Sequence, residues 1–409
     1  FALIEHADKG MGSVSLFKDG KEIFSRGYGY ADVENKIKPD KNTKYRIGSI
    51  SKTFTATLVM KLVEEGKLSL NDKLSVFYPQ VKNSEKISIE DLLRHQSGIH
   101  NITDVTDYNS WNTSHFSKEQ LLDKIVSGGS DFLPGESFAY SNSNYILLTF
   151  ILEDVSKEPY SSLLEKYIIK PCNLKNTGLG TKIEPSKNEA YSYIKTDTWK
   201  KQSETDLSIP LGAGFLTSTP YDLNVFLNAL FDCRIVKKES LDQMVQINNN
   251  FGLGLIQVPF YELKGYGHTG GIDGFVSNAF YFPSEKVSVA VTSNGISYPM
   301  NDIVTGVLSI YFGKEFVFPE FKKAQSLTSE ELDKYVGIYS TAAFPLKITI
   351  SKTGSTLMGQ ATGQPSFPLE YAGEDTFRFD SAKLKLIFNP QKKTMILEQF
   401  GQKFEMTQE

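Results

Sequence analysis

Cysteine is almost absent from this chain: Cys172 and Cys233 are the only two in 409 residues. They could form one bridge, but a disulfide framework is excluded and the redox compartment stays open. Long apolar runs are missing as well. The longest, around residues 145–152, falls well short of a membrane span, so no integral membrane segment is expected. Neither sign of charge dominates: 44 Lys and Arg against 48 Asp and Glu leave a net charge of −4. That balance points away from nucleic acid and from an anionic membrane as partner. The five histidines are scattered. His95 and His100 lie close in sequence, but no acidic residue completes a convincing metal set. There is no His-Glu-x-x-His, no Cys-x-x-Cys and no phosphate-cradling Gly-Lys-Ser/Thr loop. The Gly-x-Ser-x-Gly elbow is also absent. No metal and no cofactor are therefore expected. The chain begins at Phe1 without an initiator Met or signal-like stretch, so any export signal would lie outside it.

What is present is an ordinary folded composition, 40% hydrophobic and 22% charged, in a chain long enough for two domains. Residues 13–28 read as strand, Asp19-Gly20 turn, strand. From residue 48 to about 180 the signals are mainly helical. Ser88 with Asp91 and Ser117 with Gln120 resemble capping boxes. Between them, residues 98–116 are polar with Tyr108 and Trp111, a plausible pocket rim. Thr219-Pro220 announces a capped helix over 222–230. Residues 264–294 read as three strands, and a helix over 300–311 follows. Strands at both ends and helices between predict an α+β domain: an antiparallel sheet closed by its terminal strands, flanked by helices, with a helical insertion. The expected division is 1–318, a linker over 319–327, and 328–409. In the last segment a Thr328–Glu331 capping box precedes several short alternating strands, which predict a small antiparallel barrel or sandwich. With no His and no Cys, this tail is expected to shape or cover a site rather than to catalyse.

The stretch 48–66, apolar nearly all round, reads as one helix, with Ser49 at its start and Gly66 at its left-handed end. Ser49 and Lys52, three apart, share a helical face. Ser-x-x-Lys also occurs at Ser15–Lys18 and Ser192–Lys195, but those fall in strand-like stretches where residues three apart point to opposite faces. An amine one turn from a serine makes Ser49 a candidate activated nucleophile, although a cap would explain it equally. Two further stretches stand out, Tyr140-Ser141-Asn142 and His268-Thr269-Gly270-Gly271. Singly, each has a structural explanation as a packed tyrosine, a helix cap or a strand end.

In this order, Ser-x-x-Lys, Tyr-x-Asn and a basic residue before Thr-Gly resemble the three motifs of the penicillin-recognising serine hydrolases. The chain is similar to the class C β-lactamase/DD-peptidase branch of the serine β-lactamase-like family over about residues 10–312. Leu92–Ile99, with His95, and Gly214–Ser218 agree as well. The tail looks like the lipocalin-like domain appended to many such proteins.

The resemblance implies that Ser49 forms an acyl-enzyme while Lys52 and Tyr140 handle the proton. It implies an oxyanion hole from the Ser49 and Gly271 amides, Asn142 on the acyl side of the substrate, and His268 and Thr269 on the leaving-group side. Populating a tyrosinate at pH 7 costs about 4 kcal/mol. Cationic Lys52 and His268 would reduce that cost, so the choice of base between Lys52 and Tyr140 stays open. Most β-lactamases of this kind carry Lys where His268 stands, and a partly charged histidine is a weaker anchor for a carboxylate. The expected activity is that of a D-amino-acid-specific peptidase or DD-carboxypeptidase. The alternatives are a broad carboxylesterase, a weak β-lactamase or a non-catalytic penicillin sensor. The expected partner is a small molecule or short peptide, with β-lactams as acylating inhibitors and an extracytoplasmic bacterial location. The oligomeric state stays open.

Overall fold

The structure, a computed structural model, describes residues 1–196, 198–319, 321, 327–362 and 366–409. Most of the linker expected over 319–327 lies outside the described residues.

Strand β1 (Gly10–Lys18) turns at Asp19 and Gly20 into β2 (Lys21–Tyr28). Both turn residues have positive φ, 50° and 75°. That turn matches the twist of the flanking strands, which is why Asp-Gly pairs favour it. Four later strands complete the sheet: β3 (Ile256–Phe260), β4 (Leu263–Ile272), β5 (Phe275–Phe282) and β6 (Val287–Ile296). Their order is β2-β1-β6-β5-β4-β3, so the first strands meet the last and the helices lie between them in sequence. Strand β3 escapes the sequence reading because Pro259 interrupts its pattern; it lies at the sheet edge, where a missing N–H is tolerated.

The buried stretch differs from expectation at its start. Residues Gly48–Ile50 form a separate 3-10 turn, and helix α1 (Ser51–Glu64) begins after it. Ile50, not Ser49, holds the cap position, with no side-chain cap. Gly48, at φ 51°, redirects the chain and leaves the Ser49 hydroxyl unspent on capping. Gly66 takes the left-handed conformation at the other end, with φ 67°. Helix α1 is buried almost all round, from Ser51 to Met60 and at Leu62. It packs on helix α2 (Asn142–Ser156) and, through Phe54 stacked on Phe226 at 3.8 Å, on helix α3 (Pro220–Phe231). Thr219 caps α3 and the boxes at Ser88, Ser117 and Thr328 form, each side chain accepting from the backbone N–H three residues on.

The tail is a closed barrel, not a sandwich. Its eight strands β7–β14 are Gly337–Thr341, Phe344–Thr353, Thr356–Ala361, Phe367–Gly373, Thr376–Phe379, Leu384–Asn389, Thr394–Gln399 and Gln402–Gln408. Each pairs antiparallel with its sequence neighbour, and β7 pairs with β14 to close the ring. Alternate residues such as Leu384, Leu386, Met395, Leu397 and Met406 are buried with Tyr335 and Tyr339, as the barrel pleat requires.

By their contacts the residues form two units. One comprises Gly12–Ser192 and Gln202–Asn294; the other comprises Phe1–Met11, Tyr193–Lys201 and Gly295–Glu409. In the second, Lys9 pairs with Glu370 and Asp380 of the barrel sequence. Cys172 and Cys233 are both free thiols. Among the described residues no helix is long and apolar enough to cross a membrane.

Candidate active site

The 3-10 turn carrying Ser49 packs against strand β4. A Cβ on Gly48 would stand 2.8 Å from the Gly271 backbone nitrogen, and one on Gly270 would stand 2.0 Å from the Ile47 carbonyl oxygen. Only residues without side chains allow this approach. Pairing of β3 with β4 ends at Gly267, so His268–Ile272 have a strand partner only on the β5 side. Gly271 itself is exposed, with nothing within 4 Å of where its Cβ would be. Ser277 Oγ donates to the Ile47 carbonyl at 2.9 Å and holds the turn against the sheet.

Lys52 is fully buried at the first turn of α1. Its Nζ lies 3.0 Å from Ser49 Oγ, 2.8 Å from Asn142 Oδ1 and 2.8 Å from the Ala213 carbonyl oxygen. The last two can only accept. Burial drives the Lys52 pKa well below its ordinary value, toward the neutral amine. A neutral amine has two hydrogens and one lone pair. In that form the amine would give its hydrogens to Asn142 and Ala213 and turn its lone pair to Ser49.

Each partner of Lys52 is itself anchored. Asn142, first residue of α2, donates through Nδ2 to Thr103 Oγ1 at 3.1 Å, and its N–H donates to Asn101 Oδ1 at 2.9 Å. Those bonds orient the amide with Oδ1 toward Lys52. The 211–213 turn is pinned from both helices: Thr55 Oγ1 donates to the Gly212 carbonyl at 2.8 Å, and the Gly212 N–H donates to Thr149 Oγ1 at 3.0 Å.

The Tyr140 hydroxyl hydrogen-bonds the Ser49 side chain. Burial raises its pKa above the ordinary phenol value, so it is a neutral phenol at pH 7. Lys52 Nζ lies 4.8 Å from the Tyr140 ring centroid. Burial weakens both of the cationic neighbours expected to favour a tyrosinate. Lys52 is pushed toward neutrality, and burial lowers the His268 pKa to about 4.

His268 is 4% exposed, and its Nδ1 donates to the Thr269 carbonyl at 2.6 Å. A carbonyl partner requires the proton on Nδ1, which leaves Nε2 a lone-pair acceptor. Thr269 is half-buried beside it.

His95 belongs to the site although its sequence motif gave it no role. Its ring lies 4.4 Å from the Tyr140 ring, and its Nδ1 accepts from the Ser141 N–H at 3.1 Å. Its backbone carbonyl accepts from the Ala139 N–H at 3.1 Å. Phe138 and Phe251, 4.6 Å apart, complete an aromatic wall around it. His100 stands apart, paired with Asp131. Within the expected rim, Trp111 is buried and Tyr108 hydrogen-bonds Thr205. Asn101, Thr103 and the Ala213 carbonyl also carry no signal in the sequence: two lie in an unremarkable polar loop, and a carbonyl is common to every residue.

Ser49, Lys52, Tyr140, Asn142, His268, Thr269 and Gly271 thus come together from three separate stretches. The fold is that of the β-lactamase-fold family of serine hydrolases. Residues 2–305 match the beta-lactamase family, and the chain belongs to it. "Protein flp" of Staphylococcus aureus (strain MRSA252) is 28% identical over 296 residues, covering 69% of this chain and 59% of that protein. The chain therefore spans less than two thirds of that relative's length. Among solved structures, D-amino acid amidase from Ochrobactrum anthropi SV3, complexed with L-phenylalanine amide, superposes with TM-score 0.65 at 26% identity. It covers 72% of this chain and 89% of its own. The octameric penicillin-binding protein homologue from Pyrococcus abyssi superposes with TM-score 0.67 at 26% identity, covering 99% of this chain and 97% of its own.

Proposed function

We propose that this protein hydrolyses amide bonds of small D-configured substrates through an acyl-enzyme on Ser49, with leaving groups that bear no carboxylate. The observation that carries the reading is the set of contacts around Lys52. Two carbonyl-type acceptors take its hydrogens and leave its lone pair for the Ser49 hydroxyl. Lys52 is the general base: as Ser49 Oγ bonds to the substrate carbonyl carbon, its proton moves to Nζ. The negative charge on the carbonyl oxygen is met by the Ser49 and Gly271 amides. Tyr140, a neutral phenol hydrogen-bonded to Ser49, delivers a proton to the leaving nitrogen and is reprotonated from Lys52. Water then attacks the ester by the reverse path.

The leaving-group side favours an amide over a carboxypeptidase substrate. His268 offers a neutral acceptor at Nε2, suited to an N–H donor and not to an anion. The likeness to D-amino acid amidase supports the D-configuration. Asn142 has its oxygen committed to Lys52 and its Nδ2 hydrogens to Thr103 and Asn101, so it positions the base. A second reading, aryl and short-chain ester hydrolysis, follows from the same groups, because an ester leaving group needs no cation either.

Intact-mass analysis after treatment with an activated phosphonate or a fluorescent penicillin tests the nucleophile. One adduct on the wild type and none on Ser49→Ala is expected; labelling of both overturns it. D-phenylalanine amide should turn over faster than D-Ala-D-Ala peptides with a free carboxylate. The opposite order would overturn the substrate assignment alone.

A further inference from the structure

The two amides assigned to the oxyanion hole sit on different segments, a 3-10 turn and strand β4, and no covalent bond fixes their spacing. The contact of Gly48 with Gly271 stops them approaching further but does not stop them separating. A buried ion pair spans the same two segments. Arg46 lies just upstream of the Ser49 turn, and Asp273 lies just beyond Gly271 in the β4–β5 turn, at φ 53°. Their side chains are 3% and 4% exposed. Arg46 Nη1 donates to Asp273 Oδ2 at 3.1 Å and to the Thr205 carbonyl at 2.9 Å. Its Nη2 donates to Glu204 Oε2 at 2.8 Å and to the Thr181 carbonyl at 3.0 Å. The second carboxylate oxygen, Asp273 Oδ1, accepts from the Thr205 N–H at 3.0 Å and from Thr205 Oγ1 at 2.7 Å.

A buried pair of this kind contributes little net stability, because desolvation of both charges offsets their attraction. What it secures is geometry, since the planar guanidinium fork admits few arrangements of its acceptors. We infer that Arg46 and Asp273 are positioning residues that hold the Gly271 amide at the spacing from the Ser49 amide at which both reach one oxyanion. This rests on the proposed acyl-enzyme chemistry. The clamp also reaches the rim, because Thr205 is the residue that Tyr108 hydrogen-bonds. Occupation of the rim by substrate is thereby linked to the aim of the Gly271 amide.

The test compares p-nitrophenyl acetate with its thionoester on the wild type, Asp273→Asn and Thr205→Val, with rates expressed per phosphonate-titrated site. Sulfur is a poor acceptor and gains less from oxyanion donors than oxygen does. Removing such a donor outright costs about 10²–10³ in kcat, so misaiming one by Asp273→Asn should cost the oxygen ester about tenfold. KM should change little, and the oxygen-to-sulfur rate ratio should narrow by the same factor as kcat. Thr205→Val, which deletes the hydroxyl's bonds to Asp273 and Tyr108 and keeps the ion pair, should move both quantities the same way by less, and it supplies the readout should Asp273→Asn not fold. Equal losses for both esters, or an unchanged ratio in folded variants, would overturn the inference while the acyl-enzyme reading stands. Failure of the phosphonate to label wild-type Ser49 would remove both.

Discussion

Asn142 Oδ1 accepts a hydrogen bond from Lys52 Nζ at 2.8 Å, joining the first turns of helices α1 and α2. The contact gives Asn142 a task distinct from holding substrate, because it consumes one amine hydrogen and helps to aim the lone pair. Asn142→Asp would place a carboxylate there, hold Lys52 as an ammonium and raise its pKa. The expected result is a fall in kcat at neutral pH of about 10²–10³ and a basic shift of the rising limb of the pH–rate profile. A rise in KM with kcat and the pH profile unchanged would assign Asn142 to substrate binding alone.

Lys52 also makes a prediction about stability. Its folded pKa lies well below the ordinary 10.5, so between those two values the unfolded chain binds a proton that the folded chain does not. Stability therefore rises with pH across that window, by at most about 1.4 kcal/mol per pH unit. Lys52→Met removes this term. Denaturant melts at several pH values should show the wild type gaining on Lys52→Met as pH rises toward 10; parallel curves would contradict the depressed pKa.

His268 acts on the acid side. Its pKa falls from 6.5 unfolded to about 4 folded, so the unfolded state takes up a proton first as pH drops. Its contribution is full above pH 6.5 and is lost through pH 4, about 3 kcal/mol in all. His268→Gln should lose less stability than the wild type over that window, read by the same melts.

At the turn itself, Gly48→Ala meets two obstacles. The residue sits at φ 51°, and the new methyl would lie 2.8–2.9 Å from the Gly271 backbone N, O and C. Backbone strain of this kind costs about 1–3 kcal/mol, and relief requires the turn and β4 to separate. Ester turnover per folded molecule should fall about 10²-fold, as for loss of an oxyanion donor. Wild-type turnover in a folded Gly48→Ala protein would show that the two segments need not be so close.

The side chains of the candidate site were legible in the sequence because they fall in three short stretches whose order and types match one chemistry. The barrel was readable because buried residues recur at alternate positions, as at Leu384, Leu386 and Phe388. What was not readable arises from tertiary placement. A carbonyl such as that of Ala213 has no sequence signature, and His95 gains its role only when Tyr140 arrives beside it. The sequence left Ser49 open between cap and nucleophile because the left-handed step at Gly48, made where the turn packs against β4, has no local signal. The charge of His268 was likewise unreadable, since burial in the folded chain decides it.

The neighbouring positions of β1 and β6 bear on the order in which the molecule is made. Helices α1 and α2 pack on one another, and both are synthesised before the last strands of the sheet. The sheet cannot close until residues 287–296 have left the ribosome, and closing so long a loop is slow. During synthesis the chain carries an early hairpin whose inner strand waits for its partner. Catalytic competence should therefore appear late and abruptly, with the last strand, because β4 is held against the Ser49 turn only within the completed sheet.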